Sequence, residues 1–307
     1  MVQPSGILPF YLLGDNGGTT PVVRGRLARL FTPTASLFDR HGYPDVVSGL
    51  CAETVALAAC LSATLKFDGI FTIQAKGDGA VRTLFADVTS DGAIRSYAAF
   101  DDDAVSGLPV SHPAQLSQLM GGGYMAFTID QDASVSGDKA HRYQGIVELS
   151  DGAVSDCAEQ WFSQSEQLAS SVMTTARRTE GGWAASALFL QQIAPEGGVG
   201  ATDGIYADDA FHTASTLASS VTQDELLSEA LSAEDILFRL FHSQAVHVQH
   251  FSELRDQCRC SDEKVEVMLA GLSAQQRREL SDEAGQLIVG CEFCKSSRTY
   301  HLSSFQD

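Results

Sequence analysis

Short runs rich in β-branched and aromatic residues, each closed by a turn signal, dominate the first half of the chain. Ile70-Phe-Thr-Ile-Gln-Ala75 ends at Lys76-Gly-Asp-Gly79, Val81 to Val88 ends at Ser90-Asp-Gly92, and Ile94 to Phe100 follows. Tyr124 to Asp130 and Tyr143 to Leu149 have the same character. Such runs predict strands, and their short connections predict antiparallel pairing. Two longer segments, Val46 to Leu65 and Cys157 to Arg177, carry apolar residues at helical spacing and predict helices. The expected class is α+β: an N-terminal antiparallel-sheet domain with packed helices, over residues 1–203.

The pattern changes near Gly197-Gly-Val-Gly200, which with Thr202, Asp203 and Gly204 marks a boundary. Beyond it, over residues 204–250, the pattern is helical. Thr222 with Glu225 and Ser232 with Asp235 have capping-box spacing, and Ile236, Leu237, Leu240 and Phe241 form one apolar face. Seven acids (Asp208, Asp209, Asp224, Glu225, Glu229, Glu234, Asp235) face Arg239 alone. A short acidic helical segment repels itself and depends on neighbours for stability. It fits a conditionally folded linker and equally a helical hairpin of the main domain.

Residues 251–307 form the third region. Asp262 to Leu272 is predicted to be helical, with Val265, Met268, Leu269 and Leu272 on one side. Gln286 to Cys291 predicts a strand, and Thr299 to Leu302 its partner. So small a unit has little core of its own and needs a staple.

Candidate staples are four cysteines: Cys258 and Cys260 as C-x-C, then Cys291 and Cys294 as C-x-x-C after thirty residues. Four thiolates suit zinc in a closed tetrahedral site. Binding worth about 10–16 kcal/mol in small domains is also folding energy. Thiolates are equally the form that oxidants attack, so the same atoms suit a structural site or a switch. His247, His250 and His301 lie nearby but are superfluous beside a full sulfur set. Cys51, Cys60 and Cys157 sit in apolar helical contexts and are expected to be buried small hydrophobes.

The net charge of −19 over 307 residues disfavours a nucleic-acid partner, while 44% hydrophobic residues suffice for a core. No stretch approaches the roughly 20 apolar residues of a membrane span, so no membrane partner is expected. Met1 to Asp15 has no basic residue and contains Pro4, Gly6 and Pro9, a poor signal peptide. Seven cysteines, an odd number, point to the reducing cytoplasm. Asp101-Asp-Asp103 matches no calcium loop, and Gly121-Gly-Gly123 lacks the Lys and Ser/Thr of a phosphate loop. With no G-x-S-x-G element or paired carboxylates, no enzyme is expected.

Several segments, in order along the chain, resemble the redox-regulated 33-kDa chaperonin family of oxidation-activated heat-shock holdases. They are Val23-Arg-Gly-Arg-Leu27, Ala63-Thr-Leu-Lys-Phe-Asp-Gly69 with Gln74, Gly77-Asp-Gly79, and Tyr143-Gln-Gly-Ile-Val147. Gln160-Trp-Phe-Ser-Gln-Ser-Glu-Gln-Leu168, Gly182 to Gln192 and the cysteine quartet complete the set. The glycine-rich acidic stretch Gly197 to Asp209 departs from the pattern.

The resemblance implies that Cys258, Cys260, Cys291 and Cys294 hold one zinc ion per chain in a reduced, inactive state. It implies disulfides Cys258–Cys260 and Cys291–Cys294 on oxidation, unfolding of the C-terminal unit, and loss of order in the linker that packs on it. Apolar surface then captures unfolding client proteins without ATP, and the active form is a homodimer. It assigns no client-contact residues. Two other readings stay open: a structural zinc ribbon that mediates assembly without a switch, and a thiol-disulfide oxidoreductase using Cys291 and Cys294. The latter requires a thioredoxin-like βαβ context that the pattern lacks.

Overall fold

The computed structural model describes residues 3–14, 20–63, 69–110, 112–131, 142–165, 168–193 and 201–305, with side chains of 201–207 excepted. The chain divides into two compact units, Met1–Asp256 and Gln257–Asp307. Its class is α+β. Most of Ala63–Gly69, Glu166 and Gln167 of the Gln160–Leu168 segment, and Gly197–Gly200 lie outside the described residues.

The first unit opens with strands β1 (Gly6–Leu13) and β2 (Pro21–Leu30), then helices α1 (Thr32–His41) and α2 (Asp45–Ser62). Strands β3 (Gly69–Gly77), β4 (Val81–Thr89) and β5 (Ala93–Phe100) follow, with short helices α3 (Asp102–Gly107) and α4 (Leu116–Met120). Next come β6 (Gly123–Gln131), β7 (Arg142–Glu148), α5 (Val154–Ser165), β8 (Ser170–Thr179) and β9 (Gly182–Gln192). The acidic segment supplies α6 (Ala201–Ala218), α7 (Gln223–Leu226) and α8 (Ala233–Phe241), then β10 (Ala245–Val248), β11 (Ser252–Glu253) and β12 (Arg255–Asp256).

Two six-stranded sheets result. One runs β10-β1-β2-β9-β8, with β11 also on β1; the other runs β12-β5-β4-β3-β6-β7. Pairing is antiparallel except where β12 joins β5 in parallel. Helix α2 contacts strands of both sheets. It is buried around its whole circumference, and all but Asp45, Ser48, Glu53, Thr54 and Ser62 are apolar residues or glycine. With 18 residues and mean hydropathy 1.5 it is long and apolar enough to cross a membrane, against the sequence expectation, yet 89% of it is buried in this unit.

The helix expected over Cys157 to Arg177 is corrected. Helix α5 ends at Ser165, and Ser170–Thr179 is a strand paired along its length with β9. Val172, Thr174 and Thr175 favour that extended geometry, and pairing with a buried strand overrides the helical spacing.

The first sheet is buried on both faces. Ile7, Ala28, Leu30, Ala185, Ala187 and Phe189 face the α2 side and join the main core. Leu8, Phe10, Leu12, Leu27, Leu188 and Leu190 point the other way. There they meet Ala214, Ala218, Leu226, Ile236, Leu237, Leu240 and Phe241 of the acidic segment. The period-two alternation of a strand produces this division. Both expected capping boxes form, Thr222 with Glu225 and Ser232 with Asp235. The glycine triplet has a structural role: Gly122 N–H donates to Asp78 Oδ1, and Gly79 N–H to the Met120 carbonyl. Asp101 caps α3 by accepting from Ala104 N–H.

The second unit holds α9 (Asp262–Ala270), α10 (Ala274–Leu280) and the hairpin β13 (Gln286–Gly290) with β14 (Ser297–His301). Its buried apolar side chains among the described residues are Leu269 and Leu287, while Val267, Met268, Leu280 and Ile288 are exposed. The buried Arg277 donates to the carbonyls of Leu269, Ala270 and Leu272, closing the end of α9. Such an interior is too small to fold this unit by itself.

Candidate metal centre

Cys258 and Cys260 lie in the extended entry to α9, and Cys291 and Cys294 flank the turn between β13 and β14. That turn is fixed by its backbone. Cys291 N–H donates to the Ser296 carbonyl and Lys295 N–H to the Cys291 carbonyl, with Lys295 left-handed at φ 55°. The hairpin brings the C-x-x-C pair against the C-x-C pair. Cys258 Sγ is 3.7 Å from Cys291 Sγ, Cys260 Sγ is 3.5 Å from Cys294 Sγ, and all four sulfurs lie within 4.8 Å of one another.

These residues fit zinc. A tetrahedral ion with Zn–S bonds of about 2.3 Å requires sulfurs about 3.8 Å apart. An all-sulfur set suits a closed structural site, and no histidine joins the cluster among the described residues. The charges also call for a cation. Burial pushes the Cys258 thiol up to about 12. Burial acts to raise Cys294 as well, but Ser296, Cys260 and Cys291 together bring it down to about 6. Four crowded sulfurs do not ionise together unless a positive ion offsets their repulsion. Around them, Arg298 Nη2 donates to Cys260 Sγ at 3.4 Å while its Nε donates to Asp262 Oδ1 at 2.7 Å, which orients the guanidinium. Ser296 Oγ lies 3.0 Å from Cys294 Sγ. Such outer contacts hold metal ligands in position.

The remaining cysteines behave as the sequence predicts. Cys51, Cys60 and Cys157 are fully buried, and burial pushes Cys51 and Cys60 up to about 12, far from the reactive thiolate.

The Hsp33 protein family model matches residues 19–303. The chain belongs to the Hsp33 family. It is 33% identical over 285 residues to the 33 kDa chaperonin of Caulobacter vibrioides, covering 91% of this chain and 90% of that one. To the 33 kDa chaperonin of Pseudoalteromonas atlantica it is 32% identical over 272 residues, covering 89% and 86%. The crystal structure of the Thermotoga maritima 33 kDa chaperonin, a heat shock protein 33 homolog, superposes with a TM-score of 0.79 at 18% identity. It covers 98% of this chain and 96% of that one, which establishes the shared fold. Hsp33 membership supports a chaperone role for this chain.

Beyond the cysteines, the residues that join the acidic segment to the sheet escape sequence reasoning. Gly25, inside Val23-Arg-Gly-Arg-Leu27, leaves room for the Phe10 ring, which in turn lies 5.7 Å from the Phe241 ring of α8. A glycine inside a strand is a mark of close backbone approach, but the arginines at 24 and 26 hide this one from a pattern reading. Similarly, Gly145 of Tyr143-Gln-Gly-Ile-Val147 makes room for Trp161, which stacks on Phe127 at 4.6 Å.

Proposed function

We propose that this Hsp33 chain is a redox-regulated, ATP-independent holdase of the reducing cytoplasm. In this reading residues 1–203 are the core domain, 204–250 the linker and 251–307 the redox-switch domain. Cys258, Cys260, Cys291 and Cys294 are the zinc ligands and the redox-active thiols. The observation that carries the proposal is a unit with four clustered sulfurs and almost no apolar interior.

When bound, zinc would tie residues 258–260 to residues 291–294 and supply the folding energy this interior lacks. Oxidation withdraws the donors. Each pair of thiolates gives two electrons to one peroxide, which takes two protons and leaves as two waters, while one S–S bond forms. Disulfides Cys258–Cys260 and Cys291–Cys294 each close a very short loop, so neither replaces the tie across the thirty intervening residues. The C-terminal unit then unfolds. The linker, acidic and with two short helices after α6, loses order with it and uncovers the Leu8, Phe10, Leu12, Leu188 and Leu190 face of the first sheet. Unfolding client proteins bind there, and the active form is a homodimer.

Light scattering from a heat-unfolding client tests this, with the chain added either reduced and zinc-loaded or treated with warm peroxide. Suppression of aggregation by the oxidised form alone, reversed by a dithiol, is the expected result. Equal behaviour of the two forms would leave a structural zinc site without a switch.

A further inference from the structure

The linker is held by more than apolar contact. Arg29, near the end of β2, is 2% exposed, with its guanidinium 5.0 Å from the Phe31 ring centroid. Its Nε donates to the Leu226 carbonyl at 2.9 Å, its Nη1 to Leu231 at 2.6 Å, and its Nη2 to Ser228. Leu226 is the last residue of α7, where carbonyls lack helical partners. Leu231 directly precedes Ser232, the cap of α8. One planar fork therefore ends one linker helix and positions the start of the next. Beside it Leu227 is buried against Phe31 and Ala184, which seals the contact from water.

We propose that Arg29 is the latch of the linker, a positioning residue whose grip on three carbonyls sets how readily the segment lifts from the sheet. Its consequence for activity rests on the holdase reading above; the grip itself does not. Other polar ties to the segment are weaker in kind. Gln223 Nε2 donates to Thr175 Oγ1 at an exposed position and to the Ala176 carbonyl at a half-buried one, and Arg177 pairs with Asp224 at the surface.

Two properties follow from the chemistry of a buried guanidinium. Breaking one of its bonds would leave a charged donor unpaired inside the protein, so the turn 226–231 leaves as a unit. Once the turn has left, the cation is solvated by water, so the open state carries no trapped charge and the latch can close again. Burial lowers Arg29 to about 10 while Glu234 of α8 opposes the shift, so the group stays charged throughout the neutral range. The guanidinium therefore remains a charged donor to all three carbonyls at neutral pH. A lysine, with one compact ammonium, cannot reach three diverging carbonyls.

The test is hydrogen exchange on the reduced, zinc-loaded full chain, comparing wild type with Arg29→Met and Arg29→Lys. Exchange over residues 222–241 is expected to accelerate by about tenfold or more in Arg29→Met and by less in Arg29→Lys. Strand β9 and the zinc content should be unchanged. A folded Arg29→Met with wild-type protection over 222–241 overturns the latch; if that variant does not fold, wild-type protection in Arg29→Lys does so. Opening of the segment with no gain of aggregation suppression would leave the latch standing and count instead against the linker as the cover of the client surface.

Discussion

The Phe10 ring lies on Gly25 of the neighbouring strand, in the space any side chain at residue 25 would need. Phe10 also meets Phe241 of α8, so the glycine sets the height at which α8 seats on the sheet. Gly25→Ala should raise that seat and destabilise the first unit by about 1–3 kcal/mol. Greater binding of an apolar dye by the reduced chain would report it. An unchanged melting temperature and dye signal would mean that Phe10 has room to move.

Loss of a single sulfur should unfold one unit and spare the other. Cys260→Ala removes a proposed zinc donor and the acceptor of Arg298, and Leu269 and Leu287 are too few to hold the fold. Backbone resonances of residues 262–301 are expected to collapse to random-coil positions while those of β3 to β6 persist. Chelation of the wild type under reducing conditions should give the same spectrum, and added zinc should restore the original.

Glu53 gives the first unit a pH dependence. Burial pushes its carboxyl up to about 7, against a hydrogen bond from Thr174. Because the folded-state value exceeds the unfolded one, its contribution is fully present below the unfolded value and is lost as pH rises through about 7. His112, 3.5 Å from Glu53 and lowered by burial, acts oppositely, losing stability as pH falls. Glu53→Gln isolates the first effect. It should gain about 1–3 kcal/mol at pH 7.5 and little at pH 4.5 in urea titrations. Equal gains at both pH values would refute the assignment.

Asp256, the last residue of the first unit, accepts from both Nη atoms of Arg40, at 2.8 and 3.0 Å, and from Ser36. This pair is mostly shielded from water and bidentate, so it is stronger than a surface ion pair. Arg40→Ala is expected to free β12 from β5 and to speed hydrogen exchange over residues 254–256 about tenfold or more. Unaltered exchange there would show that the parallel pairing with β5 suffices.

How much of this could be read from the sequence depended on how local each signal was. Both linker capping boxes and the Ile236–Phe241 face span a few residues and were legible. Strands β3 to β7 of the second sheet were legible too, helped by the turns that close β3 and β4, whereas β12, two residues long, was not. Strand β1 was not, because Gly6 and Pro9 interrupt its run, and neither was β2, where Arg24, Gly25, Arg26 and Arg29 break the apolar pattern. Strand β9 is buried on both faces and lacks the alternation that would announce it. Its partner β8 carried helical spacing by coincidence. The cysteine quartet was legible as a set, but the 3.5 and 3.7 Å contacts across the two motifs come from the hairpin. Arg29 gave no local sign at all, since its acceptors lie about two hundred residues away.

Adjacent residues of β9 answer to different masters. Phe189 belongs to the main core and Leu190 to the cluster shared with the acidic segment. A substitution at 189 acts on the packing against α2, and one at 190 on the packing of the acidic segment. Natural variants should therefore diverge in a stripe, with every second residue of β1, β2 and β9 drifting among apolar types while its neighbours stay fixed. Such a stripe would let the packing of the acidic segment be retuned while the side of the sheet that faces α2 keeps its residues.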